Sequence, residues 1–238
     1  MTELLPLFLN LTGRAVVLVG GGPVATAKLR QLLAAGARVL VVAPDMTNEI
    51  RDVVASPRSD RDQDVTLARR PFVPADLDGA WLVVAAATPE VNRHVADVAE
   101  ARRIFVNAVD DPANATAFLS GVVRRDGVTL AISTSGAAPA LTALLREGLD
   151  ALLPRDLAAW MWQARAARVA WKREGVPMEA RKPRLLQALN AMYEGTAERA
   201  EFAEDKEIFA LSAISAVPSS SDRGPRVPWL NGPEDSWL

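Results

Sequence analysis

Residues 15–45 read AVVLVGGGPVATAKLRQLLAAGARVLVVAPD and predict a strand, a glycine turn, a helix and a second strand. The apolar run 15–19 leads directly into three glycines, and leucines at helical spacing separate it from the apolar run 39–42. A glycine cluster between a strand and a helix is typical of dinucleotide-binding domains, where the N–H groups and dipole of the helix face the pyrophosphate. The same glycines would also suit a tight strand-to-helix turn that binds nothing.

Each position of the glycine turn has an expected part in holding a cofactor. Gly20 allows the tight turn, Gly22 lets the backbone approach the pyrophosphate, and Ala25 lets the helix pack closely on its strand. The expected cofactor-binding residues of the turn are Gly20, Gly21, Gly22, Pro23, Val24 and Ala25. An acid after the second strand holds the ribose hydroxyls of NAD, and Asp45 stands a little later than usual. The nearest arginine that could take a 2′-phosphate is Arg51, so NAD is favoured over NADP.

Composition and charge are those of an ordinary globular protein. The chain has 238 residues, half of them apolar, a net charge of −2 and no cysteine. This length can hold a nucleotide-binding domain and a smaller partner, and the charge gives no reason to expect nucleic acid or an anionic membrane as partner. Without cysteine, disulfides, thiolate catalysis and cysteine–metal sites are excluded. The chain also lacks the pattern of a signal peptide or a membrane span, so we expect a cytoplasmic location.

Alternating apolar runs and helical segments continue to about residue 112. Further strands are predicted at 65–67, 80–86 and 104–109, with a helix from 89 to 102. Apolar strands joined by helices imply an α/β fold with a Rossmann-type parallel sheet. Ligands of such sheets bind at the carboxyl ends of the strands, which here are the Gly20 turn, the segment from Ala86 to Thr88, and Asp110. Ala86 and Thr88 are therefore further candidates for cofactor binding.

The rest of the chain is predicted to form a hairpin followed by helices. Strands at 117–119 and 128–133 flank a turn at 124–127, and Pro139 opens a helix after a serine-rich loop. Helical spacing continues from residue 154, with breaks at 175–177 and Pro183 and a last helix over about 184–200. The domains expected are 1–112 for the nucleotide, 113–150, a helical region 151–216 and a flexible tail 217–238.

Candidates for acid–base chemistry are few. Asp110 directly follows an apolar strand on the ligand-binding edge, where a carboxylate beside a nicotinamide could take a proton, although an aspartate there also suits a turn. The hydroxyls of residues 133–135 could contact a ligand or cap the following helix. His94 fits a helix surface better than a catalytic role, and the Arg/Trp run 160–173 fits an exposed helix face better than a polyanion site. No convincing metal site can be assembled.

These motifs, taken in order, resemble the precorrin-2 dehydrogenase and sirohaem synthase amino-terminal-domain family. The resemblance covers residues 4 to about 150, roughly two thirds of the chain. The matching stretches are Leu5-Pro6-Leu7-Phe8, 17–25, Lys28, 32–33, 35–37, 81–86, Val91-Asn92, Asn107-Ala108-Val109-Asp110, Phe118, 133–136 and Pro139 through Leu145-Arg146-Glu147. Any one of them could occur by chance, whereas the ordered set is specific.

The resemblance implies a concrete activity, the oxidation of precorrin-2 to sirohydrochlorin with NAD⁺ as cofactor. It makes Asp110 the catalytic residue and puts a substrate-binding hydroxyl at Thr134. The substrate-binding residues expected on this basis are Asn107, Phe118, Ser133, Thr134 and Ser135. It further implies a homodimer with residues 113–150 as the dimerisation segment. By charge alone, Arg124, Arg125, Arg146 and Arg165 are candidates to bind the carboxylates of the substrate.

Two alternatives accompany this interpretation. Some family members also insert Fe²⁺ into sirohydrochlorin, which would make the chain a bifunctional dehydrogenase and ferrochelatase that uses Asp110 again. A chain of another class, a non-catalytic NAD-binding regulatory module, would bind NAD tightly without turnover. That second alternative gives no reason for the Asn107 to Asp110 motif or for the serine-rich loop.

Overall fold

The computed structural model describes residues 4–55 and 64–192, and these fall into two compact units. The first contains the described residues up to Gly121 together with Ala131–Ala143. The second contains Val122–Leu130 and the described residues from Leu144 onward. The polar run from Ser56, the end of the predicted last helix, and the predicted tail with its two tryptophans lie outside the described residues.

A five-stranded parallel sheet forms the centre of the first unit, with strand order β3-β2-β1-β4-β5. The strands are β1 (Ala15–Val19), β2 (Arg38–Val42), β3 (Val65–Ala68), β4 (Leu82–Ala85) and β5 (Phe105–Ala108). In β1, Val16 to Val19 are all buried, as continuous apolar strands of a sheet covered on both faces should be. The predicted Rossmann-type sheet is therefore confirmed.

Helices cover both faces of this sheet. They are α1 (Pro23–Ala34), α2 (Asn48–Ala55) and α3 (Pro89–Arg102). Alternate residues of β1 point to opposite faces, so Leu18 shares a core with Leu29 of α1, while Val17 shares one with Val95 of α3. Because β2 and β4 flank β1 on opposite sides, the chain reverses direction across the sheet at the end of β1, where such folds bind ligands.

A hairpin of β6 (Gly121–Arg125) and β7 (Val128–Ile132) follows the sheet. Asp126 and Gly127 both have positive φ, as the residues of a tight two-residue hairpin turn do. The prediction of a strand at 117–119 is wrong, because these residues form no strand. The N–H groups of Thr116 and Ala117 both bond to the carbonyl oxygen of Val106, so this segment is tied to β5 without forming a ladder, and the strand begins at Gly121.

Three further helices are α4 (Pro139–Leu152), α5 (Leu157–Arg173) and α6 (Met178–Ala191). The predicted break at Gly175 to Pro177 is observed, whereas the predicted break at Pro183 is wrong because Pro183 lies inside α6. Helices α5 and α6 pack on each other with Leu189 buried, and this packing offsets the hydrogen bond that a proline cannot donate. Within the ranges 4–55 and 64–192, no helix is long and apolar enough to cross a membrane.

Candidate active site

The glycine turn is pressed between two neighbouring loops at the carboxyl edge of the sheet. Gly20 has φ +130°, a conformation that favours glycine, and donates its N–H to the carbonyl oxygen of Val42 at 2.9 Å. A Cβ on Gly20 would lie well within 3.0 Å of the carbonyl oxygen of Ala86, and one on Gly21 equally close to that of Asp45. The two glycines are therefore required by close backbone contact.

Gly22 differs from its neighbours because a Cβ there would meet no atom within 4 Å. It precedes Pro23, the first residue of α1, and the first helical hydrogen bond joins the N–H of Thr26 to the carbonyl oxygen of Gly22 at 2.9 Å. The N–H groups of Val24 and Ala25 thus belong to the helix start that has no intrahelical acceptor. Open space before such donors fits the pyrophosphate of a dinucleotide.

The other expected cofactor residues lie at the same edge. Asp45 follows β2 and is exposed. Ala86 and Thr88 follow β4, in a loop that the buried Asn92 holds by accepting the N–H of Ala87 at 3.0 Å on its Oδ1. The backbone N–H of Glu90 and, next, the Thr88 hydroxyl hold the pKa of the Glu90 carboxyl below its ordinary value.

Asp110 stands two residues after β5 with φ +56°, in the left-handed region. Such a conformation is uncommon for a non-glycine residue, and strained positions of this kind cluster at functional sites. In the described part of the chain its carboxylate accepts no hydrogen bond. The neighbouring Asp111 differs, since its Oδ2 accepts the Nδ2 of Asn114 at 2.7 Å. Of the two carboxylates, that of Asp110 is thus available to a ligand.

Asn107 connects β5 to the segment that carries Phe118. Its Nδ2 donates to the carbonyl oxygen of Ala117 at 2.9 Å, and the N–H of Val106 donates to the Oγ1 of Thr116 at 2.8 Å. These bonds hold Phe118 beside the end of β5. The Oδ1 of Asn107 is buried, and among the described residues it is the one such side-chain atom without a hydrogen-bond partner. A buried acceptor in this position is costly unless a ligand or water satisfies it.

The serine-rich loop has mainly a capping role in this structure. Thr134 Oγ1 accepts the N–H of Ala138 at 3.2 Å and lies 3.0 Å from the Oγ1 of Thr142, whose hydroxyl donates to the carbonyl oxygen of Ala138. Ser133 Oγ accepts the N–H of Ser135 at 3.1 Å, and Ser135 has φ +55°. The capping function expected for these hydroxyls is therefore observed next to the start of α4.

These segments enclose a cavity of about 440 Å³ within the first unit, a size typical of small-molecule sites. Its polar lining residues include the expected Asn107, Asp110, Ser133 and Thr134, and Phe118 is part of the apolar lining. Ser135 is not among the lining residues, and neither is any of the expected cofactor residues. The structure thus separates the glycine turn from the Asp110 cavity while keeping both in one unit.

Lys28 is a cationic lining residue that reasoning from sequence did not single out as a site residue. It lies on α1 and is half-buried in the wall of the cavity. Burial lowers the pKa of its ammonium group, and the negative charge of Asp110 opposes part of that effect. The sequence did contain a sign of this role, because Lys28 stands one helical turn after Val24 and is among the residues that carry the family resemblance. That the Lys28 side chain faces the cavity, however, depends on how α1 packs near the end of β5.

His94, the remaining acid–base candidate, has ordinary surroundings. His94 is exposed on α3 and packs edge-on against Phe72, with ring centroids 5.7 Å apart. In residues 4–55 and 64–192, no three side chains of the metal-binding types are grouped so that they could hold a metal ion.

Comparison with known protein families matches two consecutive parts of the chain. Residues 7–121 match the family model described as putative NAD(P)-binding, and residues 125–152 match the central segment of sirohaem biosynthesis proteins. The first part thus carries an NAD(P)-binding domain, in the region where the glycine turn lies.

Individual relatives agree with these models. Siroheme synthase 3 of Aeromonas hydrophila subsp. hydrophila is 42% identical over 158 residues, which are 66% of this chain and 32% of that protein. Siroheme synthase 2 of Klebsiella pneumoniae subsp. pneumoniae is 43% identical over 154 residues, or 64% of this chain and 32% of its own length. The chain therefore matches about a third of the length of these relatives.

Among solved structures, the fold is similar to that of SirC, a precorrin-2 dehydrogenase. The TM-score is 0.60 at 25% sequence identity, and the alignment covers 86% of this chain and 99% of that one. The two family models, the sirohaem synthases and this structure all agree with the resemblance seen in the sequence. The chain belongs to the precorrin-2 dehydrogenase and sirohaem synthase amino-terminal-domain family.

Proposed function

We propose that this protein is an NAD-dependent dehydrogenase that oxidises precorrin-2 to sirohydrochlorin. The proposal rests on the Asp110 carboxylate, which lines a cavity and accepts no hydrogen bond from the described residues. Asp110 follows β5, the strand that pairs with β4 in the sheet. The similarity to SirC over nearly all of that chain and the match to sirohaem synthases support the choice of substrate.

The glycine turn has the form that the cofactor requires. Gly20 and Gly21 have no room for a Cβ, whereas Gly22 borders open space in front of the first N–H groups of α1. We assign the pyrophosphate to Gly22, Val24 and Ala25, and the ribose of the adenosine to Asp45, whose carboxylate suits NAD better than NADP. When bound, NAD⁺ supplies a hydride acceptor.

The residues of the cavity then have separate tasks. Asp110 accepts the proton that leaves the substrate, since its carboxylate is the acceptor left free by the local hydrogen bonds. Asn107 holds the segment of Phe118 and offers its unpaired Oδ1 to a donor on the ligand. Thr134 positions the start of α4, and together with Ser133 it presents hydroxyls to the same cavity.

The test is anaerobic production of NADH from enzymatically generated precorrin-2 by the wild type, Asp110→Asn and Asp111→Asn. The two variants change the charge equally, and Asp111→Asn keeps an oxygen for Asn114. We expect Asp110→Asn to lower kcat by at least about 100-fold, the usual minimum for a general base, and Asp111→Asn to stay within a few-fold of wild type.

Other results would redirect the proposal. A folded wild type that binds NAD without oxidising precorrin-2 would favour the regulatory module, and full activity in Asp110→Asn would remove Asp110 from the reaction. The ferrochelatase alternative is tested by adding Fe²⁺ to the sirohydrochlorin that the same enzyme has formed and measuring whether the metal is inserted. In that reaction the metal ion and the tetrapyrrole are both substrates.

Two further expectations rest on the family resemblance. We propose a homodimer, with residues 113–150 as the dimerisation segment, and a cytoplasmic location. Sedimentation of the purified chain over a range of concentrations tests the first, because a monomer at all micromolar concentrations would contradict it.

A further inference from the structure

We infer that Lys28 binds a carboxylate of the substrate in the Asp110 cavity. The inference rests on the proposed function, because precorrin-2 is a polycarboxylate, and it assigns to the cavity a specificity-determining residue on α1. Of the described residues that line the cavity, Lys28 is the single cationic one.

The position of Lys28 is set by the packing of α1. Thr26 and Leu29 on either side of it are buried against the sheet, so the helix cannot rotate without exposing its core face. Arg30, two residues later, points elsewhere: its side chain is 66% exposed and pairs with Glu49 of α2. The helix thus presents one cation to solvent and the other to the cavity.

The ammonium group of Lys28 has no direct partner in the described residues. No carboxylate lies within 4.0 Å of it, and it makes no hydrogen bond there. The carboxylates that share its cavity are those of Asp110 and Asp111, of which Asp111 is bonded to Asn114. Burying a cation without an ion-pair partner costs free energy, and an anion that enters beside it offsets part of that cost.

The arginines expected from charge alone do not fill this role in the cavity. Arg125 donates to Asp150 at 2.8 Å and to the carbonyl oxygen of Leu153 at 3.0 Å. Arg146 lies 3.6 Å from Glu147, and neither Arg124 nor Arg165 is among the lining residues. For a substrate with carboxylate arms, Lys28 is the group in this cavity that can form a charge-assisted hydrogen bond.

A different role for Lys28 would be to position Asp110 or to hold it ionised. The two roles predict different kinetics. Substrate binding changes KM and the affinity for product, whereas an action through Asp110 changes kcat and the pH profile of kcat. The experiment therefore measures all four quantities.

The variants are Lys28→Met, which removes the charge at similar length, Lys28→Arg, which keeps it, and Arg30→Met as the matched control on the same helix. We expect Lys28→Met to raise both KM for precorrin-2 and Kd for sirohydrochlorin by roughly tenfold or more, as for loss of a charged hydrogen bond, with kcat within about threefold. Lys28→Arg should recover most of the affinity, and Arg30→Met should match wild type.

Folding is checked independently of activity. Because burial disfavours the charged form of Lys28, the melting temperature of Lys28→Met at neutral pH should be no lower than that of wild type. The sirohydrochlorin affinity of wild type should also weaken as salt is added, and that dependence should be smaller in Lys28→Met.

The outcomes separate this inference from the proposed function. Unchanged KM and Kd in Lys28→Met, or a loss of kcat alone with a shifted pH profile, would overturn the role of Lys28 while the dehydrogenase stands. A wild type that neither oxidises precorrin-2 nor binds sirohydrochlorin would overturn both.

Discussion

The glycine turn and the Asp110 cavity lie in the same compact unit, but the turn is formed by backbone groups and the cavity by side chains. The glycine turn is made of backbone: Gly20 and Gly21 touch the carbonyl groups of Ala86 and Asp45, and the space before Gly22 is left open. The Asp110 cavity is made of side chains, brought together from α1, the end of β5 and the loop before α4.

This difference predicts how each region responds to substitution. A backbone site of this kind tolerates almost no added atom, because the carbonyl groups of Ala86 and Asp45 already lie against the turn and leave no space for a Cβ. A site formed by side chains keeps its fold when a side chain is replaced by an isosteric one, and what is lost is the reaction that the original group supported. A substitution at Gly20 or Gly21 should therefore act on the fold and on NAD together, whereas an isosteric substitution of Asp110 in the cavity should act on the reaction.

The largest effect is expected for Gly21→Ala, with Gly22→Ala as its partner. The Cβ of Gly21→Ala meets the Asp45 carbonyl, so the free energy of unfolding should fall by about 2 kcal/mol or more and NAD binding should be lost. Gly22→Ala meets no protein atom and should cost under about 1 kcal/mol as a poorer N-cap, yet weaken NAD binding. Urea unfolding and NAD titration of both variants measure these effects. Equal destabilisation by the two would contradict the close contact assigned to Gly21 and the open space assigned to Gly22.

A smaller effect is expected at Thr134, which serves both the fold and the cavity. Thr134→Ala removes the oxygen that accepts the N–H of Ala138, so it should lower stability by about 1 kcal/mol, or roughly 2–4 °C in melting temperature. Thr134→Ser keeps the oxygen and should stay near wild type. If the serine variant were as unstable as the alanine variant, the methyl group and not the cap would be the stabilising part.

The smallest effect concerns a charge outside both regions. Arg70 Nη1 donates to the Oδ2 of Asp76 at 2.8 Å, and this hydrogen bond, more than that from the Val73 N–H, lowers the pKa of Asp76. The stabilisation is complete above the ordinary pKa of an aspartate and is lost as the pH falls through the lowered pKa of the folded state.

Asp76→Asn should therefore lower the free energy of unfolding at pH 7 by no more than about 1 kcal/mol, since Arg70 is half-exposed and screened. The difference from wild type should shrink as the pH falls from the ordinary pKa of an aspartate through that lowered pKa. Thermal unfolding of both proteins between pH 7 and the acid range measures it. A difference that stays constant with pH would mean that the ion pair is not its source.

Prediction from sequence succeeded where a local pattern decides the structure. The helix from Pro89 to Arg102 and the helix that Pro139 opens both begin and run as expected, because proline and periodicity act within one element. It failed at 117–119 and at Pro183. There, bonds to Val106 of β5 and packing of α6 on α5 outweigh the local preference.

For the candidate site, the sequence by itself determined the glycine turn and its position between β1 and α1, since the spacing of glycines and apolar residues predicts the local backbone conformation. It also singled out Asp110, because a carboxylate after an apolar strand falls at the ligand-binding edge. Only the tertiary structure placed Lys28 in the same cavity as that carboxylate and left the Oδ1 of Asn107, among the described residues, buried without a partner. The place of Lys28 depends on how α1 packs on the sheet, and the unpaired Oδ1 of Asn107 depends on which hydrogen bonds the neighbouring loops make. Both are long-range relations, so no single stretch of sequence predicts them.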